Sequence, residues 1–205
     1  MARDRSPIVK QSRREGYALH PKAHKIMVKR TNIPGEHGGG RQQKPSGYAL
    51  QLREKQKVRR LYGLLEKQFS NLMKEANRST GQSGQILLQF LERRLDNAIY
   101  RAGFATSRRA ARQLVGHGHF MLNGRRVDIP SIRLSEGDEI TVRTKSATNE
   151  YFKQLADIAA AANQPSLSWL KSDVKKKSVQ ITGLPTREEA EVDINEQLIV
   201  EYYSR

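Results

Sequence analysis

The chain of 205 residues has no cysteine, few aromatic residues and no long hydrophobic run. Without cysteine it can form neither a disulfide nor a thiolate metal site. Aromatic residues make up 6% of the chain, which disfavours an open sheet that stacks RNA bases on exposed rings. No apolar stretch approaches the roughly 18 residues of a transmembrane helix. We therefore expect no disulfide, no base-stacking platform and no transmembrane helix.

Acidic residues are scarce in the first two thirds of the chain. Residues 1–60 carry 16 basic and 4 acidic side chains, and residues 61–130 carry 11 and 5. Residues 131–205 carry 10 and 12, so the net charge of +16 lies almost entirely before residue 131. A merely soluble surface would mix the two signs throughout. This gradient predicts that the first two thirds face a polyanion.

The segment from residue 91 to residue 127 predicts a helix, a turn, a second helix and a hairpin. Gly103 can close the first helix in a left-handed conformation, and Thr106 or Ser107 can cap the second. Asn123-Gly124 is the dipeptide that a type I′ hairpin turn favours. One face of the first helix carries an apolar stripe, formed by Leu91, Leu95, Ile99 and Ala102. A different face is polar and carries Arg94, Asn97 and Arg101.

Three arginines, Arg108, Arg109 and Arg112, lie on the outward face of the second predicted helix, close to its start. Positive side chains are unfavourable there because the helix dipole is already positive at its N-terminus. A polyanion that accepts both the side chains and the free backbone N–H groups would offset this cost. The pattern therefore predicts a phosphate-binding site.

This segment resembles the S-four domain, a small RNA-binding module found in ribosomal proteins, pseudouridine synthases and tyrosyl-tRNA synthetases. The resemblance implies RNA binding by helices packed on a small antiparallel sheet. The residues that match in order and spacing are Arg94-Leu95-Asp96, Ala102 to Arg108, Gln113-Leu114-Val115 and Asn123-Gly124-Arg125.

Further matches extend the resemblance to essentially the whole chain. Ser12 to Gly16, Pro34 to Gly38, Gln51 to Gly63 and Asp193 to Glu196 are similar to the family of the bacterial small-subunit ribosomal protein S-four, in its cysteine-free form. The resemblance implies a non-enzymatic, cytoplasmic constituent of the ribosome. Members of this family bind a five-way junction in the 5′ domain of 16S-type rRNA and nucleate small-subunit assembly. They adjoin ribosomal proteins S-three and S-five and contribute to mRNA entry and translational accuracy.

We predict an α+β fold with two domains and a basic arm. Residues 1–46 form the arm, with short helices around 9–16 and 21–29. Because the arm is rich in glycine, proline and charge, we expect it to become ordered only when it binds RNA. Residues 47–94 form a helical domain, completed by a terminal helix at 194–205 that Asn195 caps. The pattern over 47–76 predicts a helix that bends or breaks at Gly63. Residues 95–193 form the RNA-binding module.

Basic residues dominate the predicted RNA contacts. On the helix after residue 47, like charges repel at i, i+4 spacing, and a bound phosphate backbone would remove that penalty. Together with the resemblance, this predicts RNA contacts from Arg13, Arg14, Lys22, Arg53, Lys55, Lys57, Arg59, Arg60, Arg94, Arg101, Ser107, Arg108, Arg109, Arg112, Asn123 and Arg125.

Other functions find weaker support in the sequence. His20 and His24 have ligand-like spacing, but without a thiolate or carboxylate nearby we predict no metal and no cofactor. We expect Asp96 to pair with a neighbouring arginine rather than to act as a catalytic acid, since no catalytic domain is visible. The acidic run at residues 188–191 is either solvated or a contact for a basic protein. The alternatives to a ribosomal role are a free RNA chaperone and an accessory of an RNA-modifying enzyme.

Overall fold

The computed structural model describes residues 4, 6–40, 44–162, 165–191 and 193–204. The chain divides into two compact units, one formed by residues 1–88 and 191–205 and the other by residues 89–190. The described helices are all too short or too polar to cross a membrane.

The first unit is helical. A short 3₁₀ turn at Glu36–Gly39 follows its first two helices, and α5 begins in this unit and ends in the second. The helices are α1 (Ile8–Glu15), α2 (Pro21–Lys29), α3 (Gly47–Leu61), α4 (Glu66–Arg78), α5 (Ser83–Glu92) and, at the end of the chain, α11 (Glu196–Tyr203).

The apolar stripe predicted over 47–76 forms the core of this unit, with Val58, Phe69, Met73 and Ala76 at 0–1% exposure. The helix breaks at Gly63, whose φ of +66° lies in the left-handed region that favours glycine. The prediction of a bend or break there is confirmed, and two separate helices, α3 and α4, result.

The predicted basic arm contains α1 and α2, which pack against each other, and α1 also contacts α3. Leu19 and Ala23 are buried, and the hydroxyl of Ser12 accepts a hydrogen bond from the Leu19 backbone. Residues 8–29 therefore share a small core with α3, whereas none of the four residues of the 3₁₀ turn is buried. That RNA orders residues 1–46 stays a prediction.

The C-terminal helix α11 packs along α3. Asn195 caps it by accepting hydrogen bonds from the backbone of Gln197 and Leu198, at 3.2 and 3.4 Å, as the sequence predicts. Ile199 is buried on the inner face of this helix.

The second unit combines short helices with a five-stranded antiparallel sheet in the order β2-β1-β3-β5-β4. The α+β fold class is thereby confirmed. The helices are α6 (Leu95–Arg101), α7 (Arg108–Gly116), α8 (Thr144–Ala147), α9 (Glu150–Lys153) and α10 (Leu155–Ala162). The strands are β1 (Phe120–Leu122), β2 (Arg125–Val127), β3 (Glu139–Val142), β4 (Leu170–Asp173) and β5 (Ser178–Ile181).

Its core joins the sheet to α6 and α7. Phe120, Ile140 and Val179 come from three neighbouring strands, and Ile99 and Val115 come from the two helices. All five are fully buried, so α7 is held with one face against the sheet and the other outward.

Three local predictions for this unit are confirmed. Gly103 has a φ of +78° just after α6, the hydroxyl of Ser107 caps α7, and Asn123 and Gly124 have φ values of +49° and +77° between β1 and β2. Both turn residues thus have the positive φ that a type I′ turn needs.

Two features of the second unit differ from what the sequence predicted. The single helix expected from Leu91 to Arg101 is interrupted after Glu92, because Arg94 forms a β-bridge with Arg133 and the Leu95 backbone donates to Ile132. Strand β4 was not predicted, since its segment Leu170–Asp173 is mostly polar and lies at the edge of the sheet.

Candidate nucleic-acid interface

Two arginines of the second unit are buried in ion pairs. The Arg94 side chain is 8% exposed and binds Asp96 through Nε–Oδ1 and Nη2–Oδ2 distances of 3.0 and 2.9 Å. The Arg101 side chain is 7% exposed and binds Glu92 through Nε–Oε2 and Nη2–Oε1 distances of 3.0 and 2.9 Å. Two-point pairs in the interior therefore engage both guanidinium groups and support α6, and RNA contact by Arg94 and Arg101 stays a prediction.

Asp96 also binds Arg112 on α7, with Nε of the arginine 3.0 Å from Oδ2. The expectation that Asp96 pairs with neighbouring arginines is confirmed. Burial lowers the pKa of Arg112 and the charge of Arg94 lowers it further, whereas Asp96 raises it. The Arg112 side chain is only 18% exposed, and its ion pair with Asp96 holds α7 against α6.

The start of α7 presents two arginines outward. Ser107 is buried, and its hydroxyl accepts the Ala110 N–H at 3.3 Å and so caps the helix. Its predicted RNA contact stays a prediction. Arg108 is half-buried, with its guanidinium carbon 4.7 Å from the centroid of the Tyr100 ring. Arg109 is exposed. The capped helix start therefore places two positive side chains beside a row of backbone N–H donors, which suits a phosphate.

The hairpin adds Arg125 and Arg126, which are both exposed on the edge strand β2. Asn123 in the turn is engaged internally, since its Nδ2 donates to Asp138 at 2.8 Å and its Oδ1 accepts from the Glu139 backbone at 2.9 Å. Asn123 therefore supports the turn while remaining exposed, and its contact with RNA stays a prediction.

Sequence reasoning missed Arg126, although it follows directly after Arg125 in a predicted strand. Its guanidinium lies against Gly118, where a methyl group would come within 2.7 Å of Nε and Nη2. The absent side chain at Gly118 thus makes room for this arginine just beyond the end of α7.

Three basic residues of α3 are less available than predicted, because carboxylates and carbonyls of the first unit engage them. The Lys55 side chain is 4% exposed and binds Glu66 at 2.7 Å. Lys57 and Arg59 are both 13% exposed. The Lys57 ammonium contacts Glu54 and the Asp193 carbonyl, at 2.8 and 2.6 Å. These contacts stabilise the helical unit, and direct RNA contact by the three side chains stays a prediction.

Arg53 and Arg60 share one buried carboxylate, that of Glu15, whose side chain is 0% exposed. Burial raises the pKa of Glu15, and the two arginines oppose this shift. Arg60 is 20% exposed, while Arg53 is 40% exposed and extends further into solvent. Of the predicted contacts on α3, Arg53 is therefore the most accessible.

Helices α1 and α2 carry several of the exposed positive charges of the first unit. Arg14 and Lys22, which were predicted as contacts, are exposed, whereas Arg13 is half-buried and donates from Nε to the Asn32 carbonyl at 3.0 Å. Their basic neighbours were not among the predicted contacts. The exposed basic residues missed are Lys10, Lys25, Lys29 and Arg30.

Histidines have structural roles. His20 caps α2 by accepting the Lys22 N–H through Nδ1 at 3.1 Å, and His119 lies 3.0 Å from the Ser146 hydroxyl. Burial lowers the pKa of His119, and the charges of His117 and Arg143 add to this effect. Among the described residues, histidines and carboxylates nowhere form a group of three or more that could hold a metal ion.

The acidic run from residue 188 to residue 191 also has internal partners. Glu189 accepts hydrogen bonds from the backbones of Ser168 and Thr186, at 2.5 and 3.1 Å. Glu191 accepts one from the hydroxyl of Tyr17 at 3.0 Å. Part of the run therefore stabilises local structure, an explanation that the sequence analysis did not consider.

Known proteins match the chain over its whole length. A family model of the ribosomal protein S4/S9 N-terminal domain matches residues 3–92, and a model of the S4 domain, the S-four module, matches residues 93–140. The small ribosomal subunit protein uS4 of Roseiflexus sp. (strain RS-1) is 48% identical over 206 residues, with 100% of both chains covered. The chain belongs to the uS4 family. The uS4 proteins of Clostridioides difficile and Thermus thermophilus are 47% and 46% identical, again with 100% of both chains covered.

Membership of the uS4 family confirms the resemblance seen in the sequence, and this family consists of ribosomal structural proteins rather than enzymes. The S4 domain match spans α6, α7, β1 and β2 and ends within β3. The exposed arginines of α7 and β2 all lie within it, so the matched region carries the basic surface of the second unit.

Proposed function

We propose that this uS4 protein is a structural constituent of the small ribosomal subunit in the cytoplasm, where it binds rRNA directly. The observation that carries the proposal is the capped start of α7, where Arg108 and Arg109 lie on the outer face within the matched S4 domain. Exposed lysines and arginines on α1 and α2 supply a second basic surface on the first unit.

The chemistry of both surfaces suits the RNA backbone. Guanidinium and ammonium groups form strong, charge-assisted hydrogen bonds with phosphates. The deep, narrow major groove of A-form RNA gives side chains little sequence to read, so shape and phosphate position govern recognition. A junction of helices, with phosphates at fixed and unusual spacings, is the target that best fits two separate basic surfaces.

The finer proposal follows the resemblance to the family. The protein binds the five-way junction in the 5′ domain of 16S-type rRNA as a primary binder and nucleates assembly of the subunit. Its neighbours are ribosomal proteins S-three and S-five, and it contributes to mRNA entry and translational accuracy. The basic side chains Arg14, Lys22, Arg53, Arg108, Arg109 and Arg125 are the proposed rRNA contacts that remain after burial is taken into account.

Filter binding with RNA transcripts tests this proposal. The protein is titrated against a transcript of the 16S 5′ domain, the same transcript with the junction helices deleted, and duplex DNA of equal length. We expect the intact transcript to bind at least about tenfold more tightly than either competitor, since specific binding exceeds non-specific electrostatic binding. Equal affinity for all three nucleic acids would show that the protein binds polyanions without specificity.

A further inference from the structure

Asn97 connects the buried ion pair of the second unit to the exposed start of α7. It lies on α6 and is 2% exposed. Its side-chain nitrogen donates to the Glu92 carbonyl at 3.0 Å and to Glu92 Oε2 at 2.7 Å. Its side-chain oxygen accepts the Nε–H of Arg108 at 2.8 Å. One buried amide therefore touches both the interior carboxylate and an arginine of the outer face.

The direction of this amide is determined by its neighbours. A carboxylate and a carbonyl can only accept, so the nitrogen of Asn97 must face Glu92 and the oxygen must face Arg108. Glu92 is fully buried and is itself held by the two-point pair with Arg101. The amide oxygen consequently stands at a fixed position under the first turn of α7.

Arg108 is held at two points. Asn97 engages its Nε, and the Tyr100 ring lies 4.7 Å from the guanidinium carbon. Since the guanidinium group is planar, fixing Nε and one face also fixes the directions of Nη1 and Nη2. Arg109, the next residue, is exposed and has no hydrogen bond or ion pair within the described part of the chain. The two adjacent arginines therefore differ in how far they are oriented before RNA arrives.

We propose that Asn97 is a positioning residue for rRNA binding, which orients the guanidinium of Arg108 for a backbone phosphate without touching RNA itself. This inference rests on the proposed function. Ordering a long side chain on binding is costly, and an arginine that is already oriented avoids most of that cost. Loss of this orientation corresponds to roughly threefold to tenfold weaker binding.

A double-mutant cycle on affinity for the 16S 5′ domain transcript tests the inference. The variants are Asn97→Ala, Arg108→Ala and the pair, with Arg109→Ala and its pair with Asn97→Ala as matched controls. We expect Asn97→Ala to weaken binding roughly threefold to tenfold in the wild-type and Arg109→Ala backgrounds, and to have no further effect once Arg108 is alanine. A purely structural role would weaken binding equally in all three backgrounds, which would overturn the inference.

A second comparison covers the case in which Asn97→Ala does not fold. Arg108→Lys keeps the charge but loses the planar group that Asn97 and Tyr100 orient. We expect it to bind the transcript more weakly than Arg109→Lys, and equal affinities would overturn the inference. If neither Arg108→Ala nor Arg109→Ala weakens binding, the proposed interface on α7 is wrong, and the inference about Asn97 is wrong with it. This outcome differs from a failure of the inference alone, in which the alanine variants still weaken binding.

Discussion

Arg101 and Glu92 form a two-point ion pair inside the second unit, with N–O distances of 2.9 and 3.0 Å and side-chain exposures of 7% and 1%. Each is the last residue of its helix, Glu92 of α5 and Arg101 of α6. The pair therefore connects two helix ends, and through Asn97 it also supports Arg108 of α7.

Replacing Arg101 with alanine should destabilise the protein strongly. Breaking a buried pair by removing one partner leaves an uncompensated charge, which costs about 3–5 kcal/mol. Urea denaturation followed by circular dichroism measures the free energy of unfolding. Arg109→Ala is the matched control, expected to stay within about 0.5 kcal/mol of wild type because this side chain is exposed. Equal stabilities of the two variants would show that the pair is not a support of the fold.

Replacing both Arg108 and Arg109 with alanine should weaken rRNA binding while the protein stays folded. Each contact to a charged group is worth about 1.5–3 kcal/mol. Filter binding gives the affinity, and the thermal unfolding midpoint checks the fold. Unchanged affinity in a folded variant would remove α7 from the interface.

Salt dependence should distinguish exposed from internally paired basic residues. Neutralising Lys22, Lys25 and Lys29 on α2 should flatten the slope of log affinity against log salt by roughly 0.7–0.9 for each phosphate that the variant no longer neutralises. Neutralising Arg53, Lys57 and Arg60, whose charges Glu15 and Glu54 already offset, should flatten it less.

The control for this experiment is the exposed triple Lys171, Lys175 and Lys176, in the part of the chain with a net negative charge. We expect the slope of this variant to match that of wild type. A slope flattened as much as that of the α2 variant would extend the binding surface to strands β4 and β5.

Lowering the pH should remove the stabilisation that the ionised Glu66 side chain gives to the first unit. Burial raises the pKa of Glu66, but hydrogen bonds from Lys55 and Tyr203 outweigh it, so the pKa lies below its ordinary value of 4.5. A carboxyl group whose pKa is lowered by folding stabilises the fold at a pH above its pKa in the unfolded state. This stabilisation is lost as the pH falls through its pKa in the folded state.

We therefore expect Glu66→Gln to be less stable than wild type at pH 7, and the difference in the free energy of unfolding to be smaller at pH 3. The difference at pH 7 should stay below about 1 kcal/mol, because the Glu66 side chain is 48% exposed and solvent screens the pair. Urea unfolding at both pH values measures it. A constant difference would show that the charge of Glu66 is not involved.

The parts of the structure that depend on local chemistry could be predicted from the sequence. A positive φ favours glycine or asparagine, so Gly103 and Asn123-Gly124 indicated a helix end and a hairpin turn. A hydroxyl or amide at a helix start satisfies free N–H groups, which identified Ser107 and Asn195 as caps. These signals act over two to four residues and need no knowledge of the fold.

The availability of each charge could not be predicted, because it depends on residues distant in sequence. Lys55 meets Glu66 and Tyr202 only because α4 and α11 pack beside α3, and Arg53 meets Glu15 only because α1 does. Arg94, Asn97 and Arg101 were predicted as a polar helix face, yet all three are buried after the break at Glu92. Charge pattern thus identified a basic surface but not its individual contacts.

A stable constituent of the small ribosomal subunit stays bound to it in high salt, because salt strips only proteins held by non-specific charge. Centrifugation of a lysate through a sucrose cushion in high salt measures this for the uS4 protein. We expect wild-type protein to sediment with the small subunit, whereas the Arg108→Ala, Arg109→Ala double variant should be partly released. Wild-type protein found wholly in the supernatant, with intact subunits in the pellet, would contradict this expectation.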